Sequence, residues 1–541
     1  MQLSPIYHKE WLKLRGFTLV LCLLNGSACL YFVFDLANQF ANIEPDAMMW
    51  YRFVHLQEKP YQWLVYGFAF NGLTIALCQF LPEVLRRTVR ILTHLPIPMR
   101  QMIRQHILAG GTLVVLLNSL LIATVGLTFR HYYPPNILNA ALLDLLLAQL
   151  PALVLYVGLS ATLIENDRKI QACKFALTLL GFFALSHMDA SFQAPVGIAT
   201  IIWLFMPLID SFLSVKTRRL ESKAYRWTVL PVGVGLLFVV GLALEHRFHT
   251  GHEDFYLFYS DVRGEFVYQK NGHGHHFEYG TQSNSLTKAQ FEQSLPFVFW
   301  KNLDIQGKLP ITINGHSFDK RTIRASRMSL QYTPERLTPP RVSLYPFFNP
   351  LSHKGSIPFP SEAFVVHQDK FLIYESESRQ KDTELGDRLN QLANEQNMAF
   401  PIANVWGKTT NMKPFDWGYF VQDNEGKLFN LGRTDNQVYL TSIDLPNTLG
   451  EIAFIHVAEN RQKAFYGYAI NQDSDVFLIR YPDYHFIPLS LEGFDHRSMS
   501  FQLLADPLNY IVRFNDGKRY SAIRFNKQYQ KLDRIDMITD G

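Results

Sequence analysis

The densest group of side chains with ligand chemistry is a histidine cluster between residues 246 and 276. Six of the 18 histidines fall in this stretch, and imidazole is a common ligand of zinc, copper and nickel. A helix would place the first three on one face, and glycines around the others allow the chain to turn back. The spacing predicts a transition-metal site, with a solvated linker as the alternative. The residues are His246, His249, His252, His273, His275 and His276.

Asp144 is the acidic residue that lies deepest in a predicted apolar helix. An acid inside a membrane segment is costly and commonly serves function, so Asp144 is a candidate site residue. The alternative is a structural hydrogen bond to a neighbouring helix. The other polar residues of these segments include Asn25, Asn71 and Asn118.

Two charged segments flank the apolar ones. Residues 1–16 alternate apolar and charged side chains, which predicts a short amphipathic helix in the headgroup layer, or else a basic flank that only sets topology. Residues 82–106 form a basic loop with a helical stretch (83–93), a proline corner and a second short helix; a merely solvated loop is the alternative. The candidate residues of the first segment are Lys9, Glu10, Trp11 and Arg15.

The sequence Lys9-Glu10-Trp11 with Arg15 resembles the Lys-Glu…Arg helix that precedes the first span of ABC-2-type transporter permeases. The segment 92–100, Leu-Thr-His-Leu-Pro-Ile-Pro-Met-Arg, resembles their coupling segment. The resemblance covers about residues 1–215. It implies half of a translocation pathway, a second permease copy or homologue, and a loop that docks on a separate ATPase subunit. The implied coupling residues are Arg90, Leu95, Pro96, Ile97, Arg100 and Arg104.

Motifs of catalysis are missing from the chain. It has no Gly-x-x-x-x-Gly-Lys-(Ser/Thr) loop, so it does not bind ATP by that mechanism. Neither a Gly-x-Ser-x-Gly elbow nor His-Glu-x-x-His occurs. We therefore expect a protein that is not an enzyme, with ATP hydrolysis on a separate subunit.

The elements that position these residues divide the chain in two. Its 541 residues carry a net charge of +4, and 48% are hydrophobic, but the long apolar runs all precede residue 246. This pattern excludes a soluble cytosolic enzyme, and the aromatic content of 14% excludes a disordered chain. No basic tract outside the membrane flanks suggests nucleic acid. Runs of about 20 apolar residues predict six or seven spans: 17–36, 62–82, 107–129, 138–162, 172–188, 194–215 and 227–245.

The basic residues of the loops predict the orientation. If the N-terminus is cytoplasmic, sixteen of them lie on the cytoplasmic side and three, Arg52, Lys59 and Arg130, on the other. Seven spans then place residues 246–541 outside the cytoplasmic membrane of a bacterium. The fifth span is the weakest, because Lys174 and His187 flank a short run. It forms a re-entrant pair with the sixth in the alternative topology.

Residues 246–541 read as a domain of short strands. Segments that begin at Tyr419, Tyr468 and Tyr510 share a strand, an Asp/Asn/Gly turn and a second strand, and 255–268 and 364–374 are weaker copies. A spacing of 49 and 42 residues between the starts predicts a β-propeller, with a non-repeating β-sandwich as the alternative. Leucines at helical spacing predict a helical insertion over 378–398.

Two hypotheses about function follow. The segment 400–420 looks like part of an uncharacterised bacterial domain that is attached to membrane segments of this kind. The first hypothesis is a permease subunit of a bacterial ABC transporter, with export favoured by the resemblance, whose outer domain handles substrate or an envelope protein. The second is a membrane-anchored assembly factor whose propeller docks a partner. An envelope enzyme is the weakest interpretation.

Overall fold

The computed structural model describes residues 5–94, 96–217, 225–249, 254–272, 276–435, 437–459 and 462–539. It contains two compact units, Met1–Glu245 and His246–Gly541, which we call the helical unit and the β unit.

Within its described residues, the helical unit contains seven helices that are long and apolar enough to cross a membrane. Each of the seven predicted spans overlaps one of them, which confirms a helical architecture of membrane type. Two shorter helices, α2 and α4, lie in connections. The helices are α1 (Pro5–Asn38), α2 (Asp46–His55), α3 (Gln62–Leu85), α4 (Thr88–Leu92), α5 (Met99–Tyr132), α6 (Pro135–Ile164), α7 (Arg168–Ser186), α8 (Ala190–Thr217) and α9 (Leu230–His249).

Local sequence sets several of these boundaries. Asp167 accepts hydrogen bonds from the backbone N–H groups of Lys169 and Ile170, and so caps the start of α7. The preceding helix starts at Pro135, where the missing N–H of proline costs nothing. The fifth and sixth spans are two separate helices of 19 and 28 residues.

The N-terminal segment differs from its prediction. The sequence suggested a short helix over 1–16 ahead of the first span, but α1 runs unbroken from Pro5 to Asn38. Ile6, Glu10 and Leu14 are buried on the same helix face as Leu21. Because this buried stripe continues into the apolar run, the described part of the segment forms the first turns of α1.

Small residues bring the central helices of this unit together. A Cβ atom on Gly72 would lie 2.5 Å from the carbonyl oxygen of Ala152, and one on Gly158 would lie 2.2 Å from Thr178 Oγ1. Glycine at these positions lets α6 lie close against α3 and α7. The most apolar window of α6 is 56% buried and that of the last span only 11%, so the last span is peripheral to the unit.

The β unit is built from antiparallel sheets that follow one another along the chain. Four of the sheets have four strands each. In all four, including β8–β11, each strand pairs with the next one along the chain, which makes a simple meander. The strands of these four sheets are β1 (Asp254–Ser260), β2 (Glu265–Asn271), β3 (Phe277–Gly280), β4 (Ser285–Leu286), β8 (Leu344–Pro346), β9 (Glu362–Val366), β10 (Phe371–Glu375), β11 (Gln380–Lys381), β12 (Asn404–Gly407), β13 (Tyr419–Gln422), β14 (Leu428–Thr434), β15 (Gln437–Ile443), β16 (Ile452–Val457), β17 (Phe465–Asn471), β18 (Val476–Arg480) and β19 (Phe486–Leu489).

The fifth large sheet has an added edge strand from earlier in the chain, in the order β23-β22-β21-β20-β7. A separate two-stranded sheet and three short helices connect these elements. The remaining elements are β5 (Ile311–Ile313), β6 (His316–Phe318), β7 (Met328–Tyr332), β20 (Ser500–Ala505), β21 (Tyr510–Asn515), β22 (Arg519–Phe525), β23 (Lys531–Ile538), α10 (Lys288–Ser294), α11 (Trp300–Ile305) and α12 (Lys320–Ser326).

All five predicted hairpin copies form, and each lies in a different sheet. Their turns need a left-handed residue, which is Gly426 (φ 84°) in one copy and Gly517 (φ 86°) in another. The copy that starts at Tyr468 uses Ser474 (φ 73°) in its turn. The repeat seen in the sequence is therefore one hairpin of each sheet.

Apolar side chains join neighbouring sheets in a series. Leu257 of the β1–β4 sheet packs with Ile511 of the sheet that contains β20–β23, and Leu503 of that sheet packs with Leu478 of the β16–β19 sheet. Equivalent clusters join this sheet to β12–β15, and β12–β15 to β8–β11. Closure of this series into a ring is not observed among the described residues.

The predicted helical insertion is present as α13 (Thr383–Glu395). Asp382 caps it by accepting a hydrogen bond from Leu385 N at 2.9 Å. Leu385, Leu389 and Ala393 are buried and pack with Ile373 of β10.

Candidate functional site at the charged end of the helical unit

The chain between α3 and α5 makes a corner. Arg87 has a left-handed backbone (φ 56°), which redirects the chain from α3 into α4. Pro98 precedes Met99, the first residue of α5. The predicted second short helix is the first part of α5, which continues to Tyr132. Among the predicted coupling residues, Leu95 lies outside the described residues.

Five arginines around this corner have exposed side chains. In the described part of the chain, none of their guanidinium groups forms an ion pair. Leu85 and Ile91 are also exposed, at 74% and 67%, while Pro96 is exposed and Ile97 is half-buried. Unpaired cations beside apolar side chains can bind an acidic surface of a partner. The arginines are Arg86, Arg87, Arg90, Arg100 and Arg104.

A buried cluster of ion pairs ties α1 to the end of α3 that leads into this corner. Glu83 Oε1 lies 2.6 Å from both Lys9 Nζ and Lys13 Nζ, and Lys13 Nζ lies 2.7 Å from Glu10 Oε2. The side chains of Glu10 and Glu83 are 0% and 4% exposed. Two lysines balance two glutamates, so the cluster is neutral without a further ion.

The two remaining candidate residues of the first segment lie outside this cluster. Trp11 is 48% exposed, and the side chain of Arg15 is exposed as well. Residues 5–16 thus differ in burial: Glu10 is buried, Lys9 is 42% exposed but reaches Glu83, and Trp11 and Arg15 are exposed.

His106 of α5 completes the cluster. Its Nδ1 donates to the carbonyl oxygen of Met102 at 3.0 Å, and its Nε2 lies 3.5 Å from Glu10 Oε1. Ligand atoms of Glu10, Glu83 and His106 lie within 4.8 Å of one another. Two carboxylates and an imidazole can bind a divalent transition metal. Such an ion would compete with the ammonium groups of the lysines for the same oxygens.

A second buried ion pair lies where α6, α7 and α8 meet. Lys174 Nζ donates to Glu165 Oε2 at 2.6 Å, to Ser211 Oγ at 2.7 Å and to the carbonyl oxygen of Pro207 at 2.9 Å. All three N–H donors of the ammonium group therefore have acceptors. A cavity of about 580 Å³ is lined by Arg87 and Glu165, so the arginine corner lies beside this second ion pair.

The carboxylate of Asp144 contacts two side chains that hold it in place. Its Oδ2 accepts from Lys59 Nζ at 2.6 Å and from Tyr61 Oη at 2.7 Å. Both partners precede α3, so the ion pair fixes that connection to α6. This geometry corresponds to the alternative interpretation of Asp144, a polar contact between elements.

The asparagines of the apolar helices hydrogen-bond to one another. Asn71 of α3 exchanges two hydrogen bonds of 3.0 Å with Asn25 of α1, and its Nδ2 also donates to Asn118 Oδ1 of α5 at 2.9 Å. The same three helices meet again at the cluster of Glu10, Glu83 and His106.

The predicted histidine site falls mostly outside the described part of the chain. His252, His273 and His275 lie in segments that the structure does not describe, and the backbone of His246 and His249 belongs to α9. His276 is described and has an exposed side chain.

Sequence reasoning missed most of the partners in these clusters. Glu83, His106 and Glu165 are single polar residues in helical patterns, and their partners lie up to 74 residues away in the chain. One signal was present: Glu10 and Lys13 lie one helical turn apart on the face that also carries Leu14 and Leu21.

The comparisons with known proteins concern the β unit. Residues 256–524 match a protein family described as a domain of unknown function, DUF4857. The match begins in β1 and ends in β22, so it spans all five large sheets. Neither a curated protein nor a solved structure matches the chain.

Proposed function

We propose that this chain is the membrane subunit of an ATP-driven transporter of the ABC-2 permease type. In this proposal the corner at residues 86–98 is cytoplasmic and docks on a separate ATPase. A second copy or a homologue completes the pathway. The helical unit lies in the cytoplasmic membrane of a bacterium, and the β unit is a propeller-like domain on the opposite side.

The observation that carries the proposal is the cluster of Lys9, Lys13, Glu10, Glu83 and His106, in which the two acids and the imidazole are buried. It joins α1, α3 and α5 at the end where the arginine corner begins. A force on the corner would therefore act on three helices together, because the two buried carboxylates depend on these lysines for their counter-charge. A loop that merely connects two helices needs no such support.

The arginine corner itself supports docking. Five exposed guanidinium groups repel one another, and an acidic partner surface would remove that repulsion. The exposed side chains of Leu85 and Ile91 add apolar area that a partner would bury.

The test is co-purification in mild detergent, followed by mass spectrometry of the proteins that co-elute. The loop variant carries Arg90→Glu and Arg100→Glu. The matched control carries Arg168→Glu and Lys169→Glu, which makes the same change of charge on exposed residues of the α6–α7 side. We expect a nucleotide-binding ATPase with the wild type and the control, and its loss from the loop variant.

Two outcomes would contradict the proposal. An ATPase that is absent from all three samples removes the transporter interpretation. If an envelope protein instead co-elutes with all three, the assembly-factor hypothesis takes its place, and the corner serves topology alone. Equal loss of the ATPase from both variants would assign its binding to general charge rather than to the corner.

A further inference from the structure

The β unit contains a cavity that combines apolar walls with unpaired cations. It has a volume of about 370 Å³ and lies between the β1–β2 hairpin, α11, the end of α12 and strands β7, β20 and β21. This size falls within the usual range of small-molecule sites, about 300–1,000 Å³.

Arg513 of β21 is the innermost cation of this cavity. Its Nε donates to Gln502 Oε1 at 2.7 Å, but its Nη1 is buried and has no hydrogen-bond partner. The rings of Tyr256 and Phe258 lie 5.3 and 5.1 Å from the guanidinium carbon. No carboxylate of the described residues lies within ion-pairing distance. Burial lowers the pKa of Arg513 to about 10, because the loss of water around the cation is not compensated by a counter-ion.

Two further arginines line the same cavity at its open side. Arg324 lies in the last turn of α12 and Arg327 directly follows this helix. Both side chains are exposed, and neither forms an ion pair with any described residue. Three arginines thus line this cavity, and its lining includes one carboxylic acid residue, Asp506.

Asp506 does not neutralise these cations. Its Oδ1 accepts the backbone N–H groups of Leu508 and Asn509 at 2.7 Å each, so the carboxyl closes its own turn. Burial and the neighbouring Asp261 raise the pKa of Asp506 to about 6. Among the described residues Asp506 forms no ion pair with the three arginines, so their charges are available to an anion.

The apolar wall of the cavity reaches Arg513 through Phe258 and includes the indole of Trp300. Phe258, Phe297, Met328 and Leu504 contribute this wall. Trp300 is 7% exposed, and its indole N–H has no hydrogen-bond acceptor. A buried donor without an acceptor is unfavourable, and a ligand oxygen would supply the missing acceptor.

We propose that this cavity, which we call the arginine pocket, binds an amphiphilic organic anion. The acidic group, a carboxylate, sulfonate or phosphate ester, pairs with Arg513, Arg324 and Arg327. The apolar part packs against Phe258 and the wall around it. This binding does not depend on whether the helical unit works with an ATPase.

Titration of the detergent-purified full chain with naphthalene-1-sulfonate tests the proposal by calorimetry. The neutral probe naphthalene-1-sulfonamide has the same ring system without the charge. The variants are Arg513→Met and the double variant Arg324→Ala/Arg327→Ala. The control is Arg321→Ala, which changes an exposed arginine of the same helix that does not line this cavity.

We expect the sulfonate to bind the wild type and Arg321→Ala with dissociation constants that agree within about twofold. Both pocket variants should weaken binding by about tenfold or more, as should the change to the sulfonamide. Arg513→Met should keep or raise the melting temperature, since it removes a buried cation without a counter-ion. That result separates lost binding from lost folding.

Equal binding of sulfonate and sulfonamide, or equal binding by wild type and pocket variants, would overturn the proposal. Competition then identifies the source of the natural ligand. Stronger displacement by soluble dihexanoyl phosphatidate than by decanoate points to a lipid phosphate, and the reverse points to a free organic acid. Failure of both anions to displace the sulfonate would also overturn the proposal.

Discussion

The two units of the molecule each bury a lysine completely, and they neutralise it differently. In the helical unit, Lys174 faces one carboxylate, that of Glu165, and two neutral oxygens. In the β unit, Lys413 Nζ lies 2.5 Å from Asp416 Oδ1 and 3.2 Å from Glu459 Oε1, over the ring of Phe348. Within ion-pairing distance, Lys174 thus meets one acid and Lys413 meets two; Asp210 also attracts Lys174 from farther away.

The difference in charge balance has a physical consequence. Two carboxylates that share one ammonium group in a buried site cannot both be ionised at low cost. Burial raises the pKa of Glu459 to about 8, and Asp416 acts in the same direction, against the lowering effect of Lys413. Burial and Asp416 both favour the protonated form of Glu459, so Glu459 is the acid expected to carry the proton in this cluster.

The largest effect should come from Lys413→Met in the β unit. The substitution leaves the buried Asp416 without a cation, which should lower the free energy of unfolding by about 3–5 kcal/mol. Thermal unfolding of the detergent-purified chain, with proteolysis of the β unit as readout, measures the loss. Lys427→Met is the control, because Lys427 pairs with Glu425 at the surface and should cost at most about 1 kcal/mol. Equal effects would show that Lys413 has no special role.

The matching substitution in the helical unit, Lys174→Met, should cost less, about 2–3 kcal/mol. Glu165 keeps hydrogen bonds from the backbone of Asn166, at 2.8 Å, and from Ser214 Oγ, at 2.8 Å, so its charge remains partly satisfied. Detergent-denaturation curves of both variants provide the comparison. A larger loss for Lys174→Met than for Lys413→Met would contradict the charge-balance account.

The pH dependence of stability should differ between the wild type and Glu459→Gln. The unfolded carboxyl titrates near 4.5 and the folded one near 8, so between these values the folded state retains a proton that the unfolded state releases. The free energy of unfolding should therefore fall as pH rises through this window, by at most about 1.4 kcal/mol per pH unit. The contribution is complete below pH 4.5 and lost above pH 8.

Melting temperatures at about four pH values between pH 5 and pH 8 measure this slope. Glu459→Gln should reduce the slope, because an amide does not titrate, and Glu492→Gln, at an exposed position, serves as the control. An unchanged slope in Glu459→Gln would show that both acids are ionised beside Lys413.

The smallest effect should come from Asn71→Leu in the helical unit. Hydrogen bonds between apolar helices contribute about 0.6 kcal/mol each on average, because the unfolded chain in lipid also finds partners. Loss of the contacts to Asn25 and Asn118 should then cost about 1–2 kcal/mol. Unfolding in mixed micelles measures this change in the free energy of unfolding, and Asn42→Leu, at an exposed position, is the control. A decrease as large as that of Lys174→Met would contradict this ranking.

The sequence predicted the helices of one unit and the hairpins of the other for the same reason. Runs of about 20 apolar residues and the repeated Tyr–turn–strand unit are local signals, and local backbone structure follows them. The boundary of α5 was missed because the helix continues past its apolar part to Met99, where Pro98 stops it. The sequence also failed to predict that the N-terminal segment belongs to α1. Its charged residues suggested a separate helix in the headgroup layer, whereas Glu10 is buried within the unit.

The clusters that distinguish this molecule could not be predicted in the same way. Asn25, Asn71 and Asn118 were visible as polar residues in apolar helices, but their pairing depends on which helices pack together. In the sequence, Arg513 is an ordinary residue of a strand, and only the fold shows that it lines a cavity together with Arg324 and Trp300.

The sequence by itself determined the division at residue 245, the seven apolar helices and the recurrent hairpins, because these depend on composition and short periodicity. The tertiary structure decided which charges meet. Lys9 meets Glu83 across 74 residues, and Arg513 stays without a counter-ion. Burial and the distance between charged atoms set these energies, and neither is a property of sequence spacing.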